Sequence, residues 1–311
     1  MAPSESADDR VAPPHGHDPV LLRETLDLLA PSGNGTWVDC TTGRGGHALA
    51  IAQRLNNNEQ LLCLDADPRN LDFARQRLSS SAGRIRFFHA NFAELGTVIQ
   101  AAGESKVDGI LADLGISTNQ LFDPDYGLSF SQTMPLDMRL DPGLPQSAAD
   151  LVNHMREDDL ANVLYNLAQE RFSRRIAKKI VEARRLSPIV TTGQLAELVR
   201  LAIGHRGGAP QKIDPATRTF LALRMAVNQE MQNLEALLKI APTLLKPGGH
   251  LVVISFQSME DRLVKQAFRS LEKSDDYQVL TKKPLCPTAG EIAANPRSRS
   301  AKLRAIKRLT G

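Results

Sequence analysis

The chain has 311 residues, 42% of them hydrophobic, enough to bury a large core in one domain or in a domain that carries an insertion. Its 38 Lys and Arg nearly cancel its 35 Asp and Glu, and no apolar run reaches membrane-spanning length, so composition excludes a membrane-embedded protein and leaves charged partners to be sought in local clusters. Three cysteines (Cys40, Cys63, Cys286) are too few for a disulfide framework and lack any metal-ligand spacing; together with a polar, Pro-rich beginning that has no signal-peptide core, they imply a cytoplasmic protein with no metal site.

Residues 1 to about 15, with Pro3, Pro13 and Pro14 among small and charged residues, read as a disordered lead. From Pro19 onward Val20, Leu21, Glu24, Leu28 and Leu29 have the spacing of an amphipathic helix. Strands at 36–40, 60–65, 84–88 and 107–113 then alternate with helices at 47–55, 68–79 and 93–101, the pattern of a parallel sheet. Between Phe122 and Pro145 the pattern breaks into turns rich in Asp, Pro, Gly and Met, and helices follow from about Ala148 to Ile203. These boundaries give a discontinuous domain, 16–122 and 215–311, interrupted by an inserted helical domain at 123–214. A helix at 216–239, a Lys246-Pro247-Gly248-Gly249 turn and a strand at 250–255 resume the sheet. The last strands, 277–281 and 300–308, have no long helix between them and therefore pair antiparallel.

The most informative stretch is Trp37-Val38-Asp39-Cys40-Thr41-Thr42-Gly43-Arg44-Gly45-Gly46-His47, an apolar strand ending in an acid, then a glycine-rich turn that opens a helix. Glycines there let backbone N–H groups approach a ligand closely. The next strand, Leu61-Leu62-Cys63-Leu64, ends in Asp65, where open α/β sheets place a carboxylate for a ribose diol. Gly43-x-Gly45-x-x-Ala48 with Asp65 also satisfies the dinucleotide fingerprint, which makes a nicotinamide dehydrogenase the first rival. The terminal hairpin argues against it, because an antiparallel last strand beside the fifth is the usual ending of S-adenosylmethionine methyltransferases. Strand ends supply the rest of such a site: Asn91-Phe92 for adenine, or with Phe92 simply in the core, and Asp113 beside the reacting centre.

Six runs carry a specific resemblance: Gly43-Arg44-Gly45-Gly46-His47, Asp113-Leu114-Gly115-Ile116-Ser117, Pro135-Leu136-Asp137-Met138-Arg139, Pro215-Ala216-Thr217-Arg218-Thr219-Phe220, Ile254-Ser255-Phe256 and Asn295-Pro296-Arg297-Ser298-Arg299-Ser300. Over nearly the whole chain after the lead, the sequence resembles the bacterial ribosomal RNA small subunit methyltransferase H family, also described as MraW-like. The resemblance implies a class I S-adenosylmethionine methyltransferase fold, Rossmann-like, with a mostly parallel sheet, an antiparallel last strand and an inserted helical domain. It implies N4-methylation of a cytidine in the decoding region of 16S ribosomal RNA, with the small ribosomal subunit as partner. It also implies cofactor contacts at Gly45, Gly46, His47, Asp65, Phe92, Asp113 and Gln120. The sequence departs from the family at Gln257, where His is usual, and at Leu128, where Phe is usual.

Transfer from a sulfonium is an in-line displacement, so the protein has to align the nucleophile and stabilise shifting charge. Acceptors on the N–H groups of a cytosine amine localise its lone pair, which makes Asp113 a candidate catalytic residue; the alternative role for it is orientation of the cofactor. Methylation at cytosine C5 needs a thiolate nucleophile, and no Cys lies between Asp113 and Gln120. Phe122, Tyr126 and Phe130 are candidates to stack an unstacked base. Arg171, Arg174, Arg175, Lys178, Lys179, Arg184 and Arg185 face only Glu182 between positions 171 and 185, and the tail adds Arg297, Arg299, Lys302, Arg304, Lys307 and Arg308, so both read as phosphate contacts. The loop His205-Arg206-Gly207-Gly208 can join them. A methyltransferase for another nucleic acid, or a catalytically silent RNA-binding assembly protein, are the alternative functions.

Overall fold

The computed structural model describes residues 19–31, 35–81, 83–204 and 214–310. The lead and the His205–Gly208 loop of the sequence reading lie outside the described residues. In chain order the elements are α1 Leu22–Leu29, β1 Thr36–Asp39, α2 Gly46–Ala52, β2 Gln60–Asp65, α3 Pro68–Arg77, β3 Arg84–His89, α4 Leu95–Ala101 and β4 Val107–Asp113. There follow α5 Thr118–Phe122, α6 Ala148–His154, α7 Glu157–Ala168, α8 Ser173–Arg184, α9 Thr192–Ile203, α10 Ala216–Val227 and α11 Glu230–Leu244. The chain closes with β5 Leu245–Ser255, α12 Ser258–Glu272, β6 Tyr277–Val279, α13 Ala289–Ala294 and β7 Lys302–Arg308. Two compact units emerge: a helical one, Ile116–Arg139 and Leu144–Val227, and a sheet unit made of the described residues up to Gly115, Leu140–Gly143 and those from Asn228 on.

The sheet unit is a seven-stranded sheet in the order β3-β2-β1-β4-β5-β7-β6. Strands β1 to β5 pair in parallel, and β7 runs antiparallel to both β5 and β6. Alternation along the strands sends side chains to two cores. Val38, Leu62, Leu64, Ile110, Ala112, Leu251 and Val253 pack with α4, α11 and α12 on one face. Trp37, Leu61, Cys63, Leu111, Val252 and Ile254 pack with α1, α2 and α3 on the other. Cys40 and Cys63 are buried in these cores as free thiols, and Cys286 is exposed.

Two sequence expectations are corrected here. The helix expected over 216–239 is two helices, broken at Asn228-Gln229, where Gln229 adopts a left-handed φ of 51° and Asn228 Oδ1 accepts the Leu140 N–H. The Lys246–Gly249 turn lies inside β5: the register passes from Val107↔Leu245 to Gly109↔His250, so four residues bulge opposite one. Glycines permit the bulge, because Gly248 has φ 83° and a Cβ on Gly249 would lie 2.9 Å from the Lys246 carbonyl oxygen. Lys246 Nζ closes it on Asp108 at 2.7 Å.

In the helical unit the buried faces of α7 (Leu160, Ala161, Leu164), α8 (Ile176, Ala177, Ile180, Val181) and α9 (Leu195, Ala196, Val199) pack on one another, with α10 against α7. Helix α10 therefore belongs by its contacts with the helical unit, and the breaks fall at Ile116 and Val227, where the sequence reading places them at 123 and 214. Its turn-rich segment is ordered by local bonds. The Arg139 guanidinium grips the Asp137 carboxylate at 2.7 and 2.8 Å and the Leu144 carbonyl at 2.9 Å.

Candidate active site

The carboxyl ends of β1, β2 and β4 bring three acids together around the glycine turn. Thr42 N–H donates to the Leu64 carbonyl at 2.8 Å and Cys40 N–H to the Leu111 carbonyl at 2.8 Å, which ties the turn to both neighbouring strands. Gly43 and Gly45 have φ of 53° and 79°, left-handed values that glycine adopts without strain. A Cβ on Gly45 would lie 2.8 Å from Leu78 Cδ1, so this glycine also sets how closely the turn approaches the α3 side.

Asp65 accepts the Gly43 N–H at 2.7 Å and the Asp67 N–H at 2.8 Å. Burial pushes its carboxyl up to about 6, with these two bonds opposing the rise, so it is ionised at neutral pH. Asp39 is 1% exposed; one oxygen accepts the Thr41 N–H at 3.1 Å and the other, Oδ2, is buried with no hydrogen-bond partner. Burial raises this carboxyl to about 7, the Thr41 bond opposing and the Asp65 charge adding.

Asp113 is fixed by its own N–H, which donates to Thr41 Oγ1 at 2.6 Å. Its Oδ2 lies 3.5 Å from His47 Nδ1 and its Oδ1 has no partner. Burial first, then the charges of Asp39 and Glu260, hold its carboxyl well above the usual range. His47 is buried and bonds through Nε2 to the Val20 carbonyl at 3.0 Å. A carbonyl only accepts, so Nε2 carries the hydrogen; the neutral ring then turns its Nδ1 lone pair to Asp113. Burial lowers the imidazole to about 4, against the Val20 bond, which keeps it neutral. Glu260, buried at the start of α12, accepts the Phe256 and Gln257 N–H groups at 3.0 and 2.9 Å.

The structure thus gathers Gly45, Gly46, His47, Asp65 and Asp113 at one edge of the sheet. Phe92 begins the turn after β3, partly buried against the core. Gln120 lies in the helical unit, in a capping box with Ser117: its Oε1 accepts the Ser117 N–H at 2.9 Å. Phe130 is in the same unit, its ring edge-to-face with Phe220 at 4.7 Å and under Arg200 at 5.9 Å. Tyr126, a stacking candidate from sequence, is 3% exposed and closed to a base. Asp39, Thr41 and Glu260 are the members absent from the sequence-based set of site residues. Asp39 was visible as a strand-end acid, and Gln257-x-x-Glu260 carries helix-start spacing.

The basic residues divide. Arg174, Arg175 and Lys178 are exposed and Lys179 half-buried on α8, and no carboxylate pairs with Arg175, Lys178 or Lys179 among the described residues. Arg184 instead donates to the Val152 carbonyl at 2.7 Å. The tail corrects its sequence reading, because its acid comes from another element: Lys302 and Arg304 meet Asp261 of α12 at 3.4 and 2.6 Å, and Arg308 donates to the Leu245 carbonyl at 2.6 Å. Among the described residues no helix is long and apolar enough to cross a membrane, and no group of three His, Cys, Asp or Glu side chains is placed to hold a metal ion.

Two buried carboxylate oxygens without partners, Asp39 Oδ2 and Asp113 Oδ1, beside a glycine turn mark places for donors or positive charge that the chain does not supply. A cofactor carrying a sulfonium, an ammonium and a ribose diol fits that set. With the β3-β2-β1-β4-β5-β7-β6 sheet, these features define a class I S-adenosylmethionine methyltransferase. More narrowly, the chain belongs to the MraW methylase family, whose model matches residues 14–309. It is 46% identical over 291 residues to "Ribosomal RNA small subunit methyltransferase H" of Solibacter usitatus, covering 94% of this chain and 99% of that protein. It is 46% identical over 299 residues to the protein of the same name from Koribacter versatilis, covering 94% of each. Among solved structures, the N-methyltransferase NodS of Bradyrhizobium japonicum aligns with a TM-score of 0.43 and 11% identity over 93% of this chain and 94% of that one.

Proposed function

We propose that this protein acts in the cytoplasm and transfers a methyl group from S-adenosylmethionine to the exocyclic N4 of a cytidine in the decoding region of 16S ribosomal RNA, with the helical unit as the substrate domain. The observation that carries the chemistry is Asp113, a carboxylate fixed at the end of β4 with one oxygen turned to a neutral imidazole and the other unpartnered. The substrate class follows from the names of the relatives.

When bound, the cofactor supplies an electrophilic methyl group on sulfur. The glycine turn offers backbone N–H groups, Asp65 accepts the ribose hydroxyls, and Phe92 packs against the adenine. Asp39 holds negative charge toward the cationic part of the cofactor. Asp113 Oδ1 accepts a hydrogen bond from the target amine, which concentrates the nitrogen lone pair and offsets positive charge as it develops. In its ionised form, which a positive charge bound beside it would favour over the protonated one, the Asp113 carboxyl can take up the proton leaving the amine on Oδ2, where it faces His47 Nδ1.

The test incubates the purified protein and labelled cofactor with free 16S ribosomal RNA, intact small subunits and unrelated RNA, then digests the RNA and identifies the labelled nucleoside. N4-methylcytidine at a single 16S position is expected. Label in 5-methylcytidine, or equal labelling of unrelated RNA, overturns the reading.

A further inference from the structure

The helical unit contains a cleft of about 310 Å³ lined by Asn162 and Tyr165 of α7 and by Arg171, Phe172, Arg174 and Arg175 at the start of α8. It lies wholly within that unit and shares no residue with the carboxylate cluster. Tyr165 is 58% exposed, and its hydroxyl has no partner among the described residues. The neighbouring cations are also unspent. No carboxylate pairs with Arg171 or Arg175 among the described residues, and Arg175 lies over the Phe172 ring at 5.7 Å. Arg174 meets Asp158 at 3.3 Å, a pair exposed at both ends and readily exchanged for another anion. Three other arginines of the unit are ion-paired: Arg139 with Asp137, Arg156 with Asp159, Arg200 with Asp214.

An open tyrosine face beside free guanidinium groups is the chemistry that receives a base and its phosphates. The volume sits at the small end of ligand pockets, room for one nucleotide and not for a duplex. We propose that this cleft seats one unpaired nucleotide of the substrate RNA, distinct from the target cytidine, with its base on Tyr165 and its flanking phosphates on Arg171 and Arg175. An acidic polypeptide would satisfy the arginines and leave the aromatic face unused. The inference rests on the reading that the substrate is RNA.

The experiment measures binding of a short fluorescein-labelled single-stranded oligoribonucleotide to the full chain by anisotropy over a range of KCl concentrations, with cofactor affinity by calorimetry as the check on folding. Tyr165→Ala is expected to weaken RNA binding about tenfold with the salt slope unchanged, as loss of one stacked base requires. Tyr165→Phe should match the parent. The Arg171→Ala, Arg175→Ala double variant should lower the salt slope by about 1.4, roughly 0.7 for each single-strand phosphate contact. Parent-like affinity of Tyr165→Ala with cofactor binding intact overturns the proposal, as does equal loss in Tyr165→Phe. Equal displacement of the RNA by poly-glutamate, from the parent and from Tyr165→Ala alike, overturns it in favour of an acidic protein partner. Methyl transfer by the parent to 16S ribosomal RNA is assayed in parallel: its absence removes the functional reading, whereas its presence with an inert Tyr165 removes only the cleft.

Discussion

Replacing Asp39 by Asn separates what the site costs the fold from what it gives the cofactor. The side chain is 1% exposed and its carboxyl is raised by burial from 3.8 to about 7, which corresponds to about 4 kcal/mol disfavouring the ionised form in the folded chain. Asn keeps the shape and the acceptor for the Thr41 N–H, but it leaves amide hydrogens without an acceptor at a cost of about 1–3 kcal/mol. The variant without cofactor should therefore be about 1–3 kcal/mol more stable than the parent at pH 8. The folded-state pKa lies above the unfolded one, so between pH 4 and 7 the native parent binds more protons than the unfolded chain and loses stability as pH rises. The advantage of the variant should accordingly shrink by about 2–3 kcal/mol between pH 8 and pH 5. Urea unfolding of both proteins at the two pH values, without added cofactor, measures this. Calorimetry at pH 8 should show S-adenosylmethionine binding about ten- to a hundredfold more weakly to the Asp39→Asn variant than to the parent, since a charge-assisted contact is lost. A stability difference that does not change with pH refutes the reasoning.

Asp65→Ala should weaken cofactor binding by about 1.5–3 kcal/mol and loosen the turn whose Gly43 N–H it accepts; unchanged affinity removes it from the site. Replacing Arg174, Arg175, Lys178 and Lys179 by Ala should flatten the salt dependence of RNA binding by about 0.7 per lost phosphate contact while cofactor affinity stays constant, and equal slopes reduce the patch to a solvated face. Arg304→Ala should cost about 1.5–3 kcal/mol in urea unfolding, because Arg304 is 6% exposed and its removal leaves Asp261 with only the longer Lys302 contact. Burial pushes the Asp261 carboxyl up, and Arg304 with Lys302 more than offsets it. That stabilisation should be present above about pH 4 and disappear as acid protonates the carboxylate. A parent-like RNA salt slope is expected for Arg304→Ala.

Much of the sheet was legible because β1, β2 and β4 are short, largely apolar and closed by a turn signal. The antiparallel ending followed from the absence of a long helix between the last two strands. Two boundaries were hidden. The break at Gln229 rests on a left-handed residue that is not glycine, and the β5 bulge looks locally like a turn until β4 is seen opposite it. In the site, Asp65 and Asp113 stood out as strand ends, but the contact between His47 and Asp113 joins residues 66 positions apart, and nothing in the local pattern announces it. Charge was the least legible. The acid-free run at 302–308 reads as a free basic tail, yet Asp261, distant in sequence, neutralises its inner members. The turn-rich segment after Phe122 misleads in the same way, because burial of Tyr126 depends on contacts that its neighbours in sequence do not show.

The claim that Asp113 acts on the target amine is tested most directly by single-turnover methyl transfer with Asp113→Asn at saturating cofactor and 16S ribosomal RNA. The amide keeps the size of the side chain and removes the charge that offsets the developing cation. The transfer rate should fall far more than cofactor affinity does, with kcat and kcat/KM reduced together. A parent-like transfer rate at saturation, with S-adenosylmethionine bound more weakly, would contradict that role and leave Asp113 as a residue that only orients the cofactor.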